Sequence, residues 1–147
     1  MTRIDFYVLQ KTDPAARFDY ACRLAEKAFK LGNQVHIHTA TLDEAKQLDE
    51  CLWNYEATSF LPHSLASHAS GQREVIISHE PPAHNERDVL INLDRAVPNF
   101  FSQFERVAEI VIQDEAALAA LRNNWLFYKN RNYPLHKHDI GERMKQS

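Results

Sequence analysis

Apolar residues along this chain recur with two alternating periods. Ile4 to Leu9 (IDFYVL) is a short run rich in β-branched and aromatic residues, which predicts a strand. Asp13-Pro14 then offers a helix start, with Asp at the cap and Pro in the first turn, where its missing N–H is not needed. Phe18, Ala21, Cys22, Ala25, Ala28 and Phe29 follow at helical spacing, and Gly32 closes the helix. Val35 to Thr39 (VHIHT) alternates in the manner of a strand. Thr41 starts a second helix running through Leu52, with Glu44 completing a capping box. Val75 to Ser78 and Val89 to Leu93 predict two more strands, separated by a loop from His79 to Asp88 that Pro81-Pro82 marks. A helix is expected from Val97 to Phe104, beginning near Pro98, and a strand from Arg106 to Ile112. Asp114 caps a long final helix reaching about Asn130. Tyr133-Pro134 ends it, and a polar tail is expected from about residue 132.

Strands alternating with helices predict an α/β fold with a mainly parallel sheet flanked by helices in three layers. With no repeat, low-complexity stretch or linker, residues 1–147 read as a single domain, and that length is enough to bury a core. The 44% hydrophobic and 25% charged fractions fit a soluble globular protein. Net charge is -3 and unevenly spread: residues 116–147 carry six Lys and Arg against two Asp and Glu, so the rest is acidic. That balance argues against a broad nucleic-acid-binding surface, and leaves the basic end either as a solvated tail or as a place for an anionic partner. Two cysteines, no charged-then-apolar leader and no apolar run of roughly 18 residues make a cytoplasmic protein with reduced thiols the expectation. Cys22, on the apolar helix face, is expected in the core.

Leu48 to His63 (LDECLWNYEATSFLPH) is too broken to be one core helix. Pro62 drives Leu61 toward extended backbone and interrupts regular hydrogen bonding. Its large apolar side chains have two fates: plugging the chain's own core, or forming an exposed patch that a partner covers.

A sheet of this kind invites a nucleotide-binding reading, but phosphate loops need glycines so that backbone N–H groups can approach the phosphates. Here Gly32, Gly71 and Gly141 stand far apart, and Gln10 to Pro14, after the first strand, holds none. VLINLD (Val89 to Asp94) has the look of a Walker B strand, and without a phosphate loop it reads as a buried strand ending in Asp. The expected domain is therefore Rossmann-like without a phosphate-binding loop. Eight histidines raise a metal question; Cys51 with His63 and His68, both expected in a loop, are the nearest to a set, but no CxxC or HxxxH pair anchors them, and no metal or other cofactor is expected. Ser64 beside His63 lacks the GxSxG setting of a hydrolase nucleophile, and no catalytic residue is assigned.

On the last helix, at roughly 100° per residue, Leu118, Arg122, Trp125 and Lys129 form one stripe, and Ala117, Leu121 and Tyr128 an adjacent one placed to face the sheet. The first stripe mixes cations with apolar side chains. It fits either an acidic peptide with an apolar end or an amphipathic helix whose cations snorkel.

These residues together resemble the chi subunit family of bacterial DNA polymerase III. The resemblance rests on FYVL at Phe6 to Leu9, LAEKAFKLGNQVHIHT at Leu24 to Thr39, LDECLW at Leu48 to Trp53 and SFLPHSLA at Ser59 to Ala66. VLINL from Val89 and the aromatic end of the last helix follow in order, so it spans nearly the whole chain. It implies a non-catalytic adaptor of the clamp-loader complex, binding the psi subunit one to one and reaching the clamp loader through psi. It further implies binding of the acidic, Phe-ended tail of single-stranded DNA-binding protein, with no tight direct nucleic-acid binding and no membrane. Carried over by position, Trp53, Phe60, Leu61 and Pro62 would face psi. Val111, Leu118, Arg122, Trp125 and Lys129 would take the tail. Trp125 stands where some relatives carry Tyr, and Leu118 where relatives carry Lys, so Arg122 must do more of the carboxylate pairing, helped by Lys129 or the basic tail. The competing classes are a nucleotide-binding or helicase-like enzyme domain, which needs the missing phosphate loop, and a single-strand binder using Trp125 and the basic end.

Overall fold

The computed structural model describes residues 1–55 and 60–140; Ser59 and residues 141–147 of the expected tail lie outside the described residues. Seven strands form one sheet in the order β3-β4-β2-β5-β6-β1-β7, and every neighbouring pair is parallel. The strands are β1 Arg3–Val8, β2 Val35–His38, β3 His63–Leu65, β4 Val75–Ser78, β5 Val89–Asn92, β6 Arg106–Val111 and β7 Leu135–Asp139. Three helices accompany them: α1 Ala15–Lys30, α2 Leu42–Asn54 and α3 Glu115–Asn130. Among the described residues no helix is long and apolar enough to cross a membrane.

The caps expected at Thr41 and Asp114 form. Thr41 accepts the Glu44 N–H at 3.2 Å and Asp114 accepts the Ala117 N–H at 2.7 Å, each satisfying a donor the helix cannot. Gly32 (φ 94°) and Asn132 (φ 62°) adopt the left-handed conformation that closes α1 and α3.

Side-chain alternation sorts the sheet into two faces. Phe6 meets Trp125 and Tyr128, which puts α3 over Ile4, Phe6 and Val8 and, by register, over Val107, Glu109 and Val111. Tyr7 meets Tyr20, so α1 covers the opposite face, with α2 beside it and Cys22 Sγ 3.5 Å from Cys51 Sγ. Cys22 is fully buried, as expected.

Three expectations are corrected. The helix expected over Val97 to Phe104 is only a 3-10 turn at Phe101–Gln103. Three phenylalanines direct this segment inward over the α3 face, Phe100 onto His38, Phe104 onto His36 and Phe101 onto Tyr128 and Tyr133. This cover also buries His36 and His38, the polar half of the β2 alternation. The polar tail is instead β7 as far as Asp139: Leu135 to Asp139 pair in register with Ile4 to Val8, and His136 and His138 sit on a strand. His63, expected in a loop, opens β3, the edge strand beside β4.

Candidate docking sites

The first site lies where α2 ends. Here the two fates of the Leu48–His63 segment divide residue by residue. Leu48, Leu52 and Leu61 are in the core, whereas Trp53 is 57% exposed, Phe60 97% exposed, and Pro62 exposed. Of the four residues expected to face psi, then, Leu61 is buried and the other three are exposed. His63 organises the arrangement. Its ring lies 4.5 Å from that of Trp53, and its Nδ1 donates to the Leu61 carbonyl at 2.6 Å. That bond fixes the proton on Nδ1, because a carbonyl only accepts. Nε2, 3.7 Å from Asp49 and without a hydrogen bond among the described residues, is sealed off from water.

The second site is the flank of α3 above β1 and β7. Trp125 is half-buried with its ring 5.3 Å from Phe6, Leu118 is half-buried, and Arg122 and Lys129 are exposed. Neither cation has an ion-pair partner among the described residues. Val111 ends β6 in the core at 6% exposure, so it contributes floor, not surface. Ala117 and Tyr128 face the sheet and are buried, with Leu121 half-buried beside them.

The structure adds residues to this flank that the sequence reading missed. Leu126, 54% exposed, stands one turn beyond Arg122; the i, i+4 spacing of the two was a usable signal. Lys137 is brought onto the α3 face by strand alternation, in register with Phe6, and pairs loosely with Asp139 at 3.8 Å. Of the basic residues in the expected tail, Lys137 lies on an edge strand, and Arg143 and Lys145 lie outside the described residues.

Two buried carboxylates hold these surfaces in place. Glu109 accepts from the Tyr128 hydroxyl at 2.7 Å and from Asn92 Nδ2 at 3.1 Å, tying α3 to the sheet. Burial pushes its carboxyl up to about 7, against the opposing effect of these hydrogen bonds. Asp5, 1% exposed, takes His138 at 2.9 Å and Arg3 and Arg106 at 3.1 Å, which fastens β7 and β6 to β1. Burial opposes its ionisation, but the hydrogen bonds from His138, Arg3 and Arg106 outweigh it and hold the carboxyl below its usual range.

Asp94, the terminal Asp of the Walker-like run, accepts the Ala96 N–H at 3.2 Å and approaches His38, closing a turn. Cys51 turns toward Cys22 and Asp19, while His63 turns toward Asp49 and His68 lies exposed on a 3-10 turn. Those three are not brought together. Both cysteines are free, and burial raises the Cys22 thiol far above its ordinary value.

Fold and site together define a Rossmann-like, three-layer α/β domain without a phosphate loop and with two aromatic-bearing surfaces. The chain belongs to the family described as DNA polymerase III chi subunit, HolC, whose model matches residues 1–136. It is 44% identical over 140 residues to DNA polymerase III subunit chi of Pseudomonas aeruginosa, covering 95% of this chain and 98% of that one. It is also 27% identical over 138 residues to subunit chi of Haemophilus influenzae, covering 92% and 96%. The protein is accordingly an accessory subunit of DNA replication.

Proposed function

We propose that this chain is a non-catalytic adaptor that joins the psi subunit, and through it the clamp loader, to the acidic C-terminal tail of single-stranded DNA-binding protein. The observation that carries this reading is the near-complete exposure of Phe60 beside Trp53 and Pro62, over a core that already contains Leu61. A bulky apolar side chain that the folded chain leaves in water is the form of an interface anchor. Psi takes this ledge. The tail lies along α3, its terminal Phe against Trp125 and Leu118, and its carboxylates on Arg122 and Lys129, with Lys137 at the edge. The two surfaces stand on opposite faces and opposite ends of the sheet, so both partners are held at once.

Titration of a labelled acidic, Phe-ended peptide in low and high salt tests the tail site. Binding in the submicromolar to micromolar range, about -8 kcal/mol or a little stronger, that weakens with salt is expected. Failure to bind, or equal binding by Arg122→Ala, would remove the site from α3.

A further inference from the structure

We infer that the groove between α1 and strands β1 and β6 is a binding site for a small aromatic anion of the nucleotide kind, an aromatic base joined to a phosphate. The groove has a volume of about 620 Å³, within the range of small-molecule pockets. It lies on the face of the sheet opposite α3 and does not rest on the adaptor reading.

Its chemistry comes from four sets of atoms. Tyr7 and Tyr20 form an aromatic wall, and Tyr7 is held in place by stacking on His138, at 4.7 Å and 15° between planes. Neither hydroxyl has a hydrogen-bond partner among the described residues, although both rings are half-buried. Leu24, Ile91 and Ala108 supply an apolar floor against which a flat ring can lie.

The rim is cationic. Arg23 and Lys27, one helical turn apart, are exposed and unpaired among the described residues. Arg106 and its neighbour Arg3 share the single carboxylate of Asp5, leaving a positive surplus there too. With Arg23, Lys27 and Arg106 against the carboxylates of Asp5 and Glu26, the lining keeps a positive surplus in a chain of net charge -3, which favours an anion. Finally, Glu26 Oε2 is buried without a hydrogen-bond partner among the described residues, while Oε1 engages Lys30. A base amino group or sugar hydroxyl would supply the missing donor.

The groove sits toward the amino ends of the strands, where Arg106 opens β6, so side chains and not a glycine loop would hold the phosphate.

The test is a ¹⁵N-resolved titration of the full chain with AMP, with inorganic phosphate and a short oligothymidylate as separate arms. Saturable shifts confined to α1 and β1, with AMP bound more tightly than phosphate, are expected. Arg23→Gln combined with Lys27→Gln, both at exposed helix positions, should weaken AMP by about tenfold or more. Tyr20→Phe should weaken it several-fold while leaving the fold intact. If the oligonucleotide binds the same residues more tightly than AMP, the natural source is a strand end; if AMP binds as well or better, it is a free nucleotide. No saturable shift up to about 10 mM AMP, equal effects of phosphate alone, or parent-like binding by the double variant would overturn the site.

Discussion

Phe60 and Leu61 are consecutive apolar residues with opposite environments, 97% and 7% exposed, and their alanine variants should separate cleanly. Phe60→Ala removes a side chain that the folded chain leaves in water, so unfolding free energy should change by less than about 0.5 kcal/mol. Leu61→Ala empties a position in the same core as Leu48 and Leu52 and should cost about 2–5 kcal/mol. For psi the order reverses. A phenylalanine fully covered by a partner contributes on the order of 2–3 kcal/mol at ~25 cal/mol per Å². That corresponds to a loss of roughly 30- to 150-fold in affinity for Phe60→Ala. Urea unfolding of both variants, with calorimetric titration of psi into each, measures the two effects separately. Should Phe60→Ala lower the unfolding midpoint as far as Leu61→Ala does, the ring is packed in solution and the ledge does not exist. Unchanged psi affinity with unchanged stability would remove Phe60 from the interface.

Other outcomes follow from the same geometry. Trp53→Ala should lose psi affinity and also about 1 kcal/mol of stability, because its ring rests on His63; calorimetry and unfolding curves together check this. Arg122→Ala should cost about 1–3 kcal/mol of tail binding, less at high salt, with no change in melting temperature. Glu109 has a folded value of about 7 against an ordinary 4.5, so the folded state binds its proton first and stability rises as pH falls between those values. Glu109→Gln should flatten that slope, worth on the order of 3 kcal/mol across the window, as read from unfolding at pH 4 and pH 8. Asp5 is shifted the other way, so its stabilisation holds above the ordinary carboxylate range and fades as pH drops below it. Asp5→Asn should cost about 1–3 kcal/mol at neutral pH, less than a fully buried pair because both guanidinium groups are half-exposed.

The long elements were legible because their signals are local. Phe18 to Phe29 show helical spacing, and Thr41 and Asp114 are caps whose side chains reach backbone only three residues on. β4 and β5 read as short apolar runs, and β6 does so on either side of Glu109, because all three are largely buried on both faces. The edge strands carried no such signal. His63–Leu65 is too short to display a period, and LHKHD holds a single apolar residue. β7 forms because β1 offers it an unpaired edge and buried Asp5 holds His138.

Composition and order alone thus determined the α/β class, the lack of a phosphate loop and the residue types available for docking: aromatic and apolar near residues 53–62, cationic and aromatic on α3. Which side of the surface each residue occupies was decided only by packing. Leu61 turns into the core, its carbonyl held by His63, while Phe60 turns out to solvent. Lys137 joins Trp125, and Arg106 joins Arg23 and Tyr20, across separations that no periodicity spans. The physical reason is common to all of these. Backbone periodicity depends on near neighbours along the chain, whereas a surface is assembled from residues that meet only when the sheet closes its hydrogen bonds.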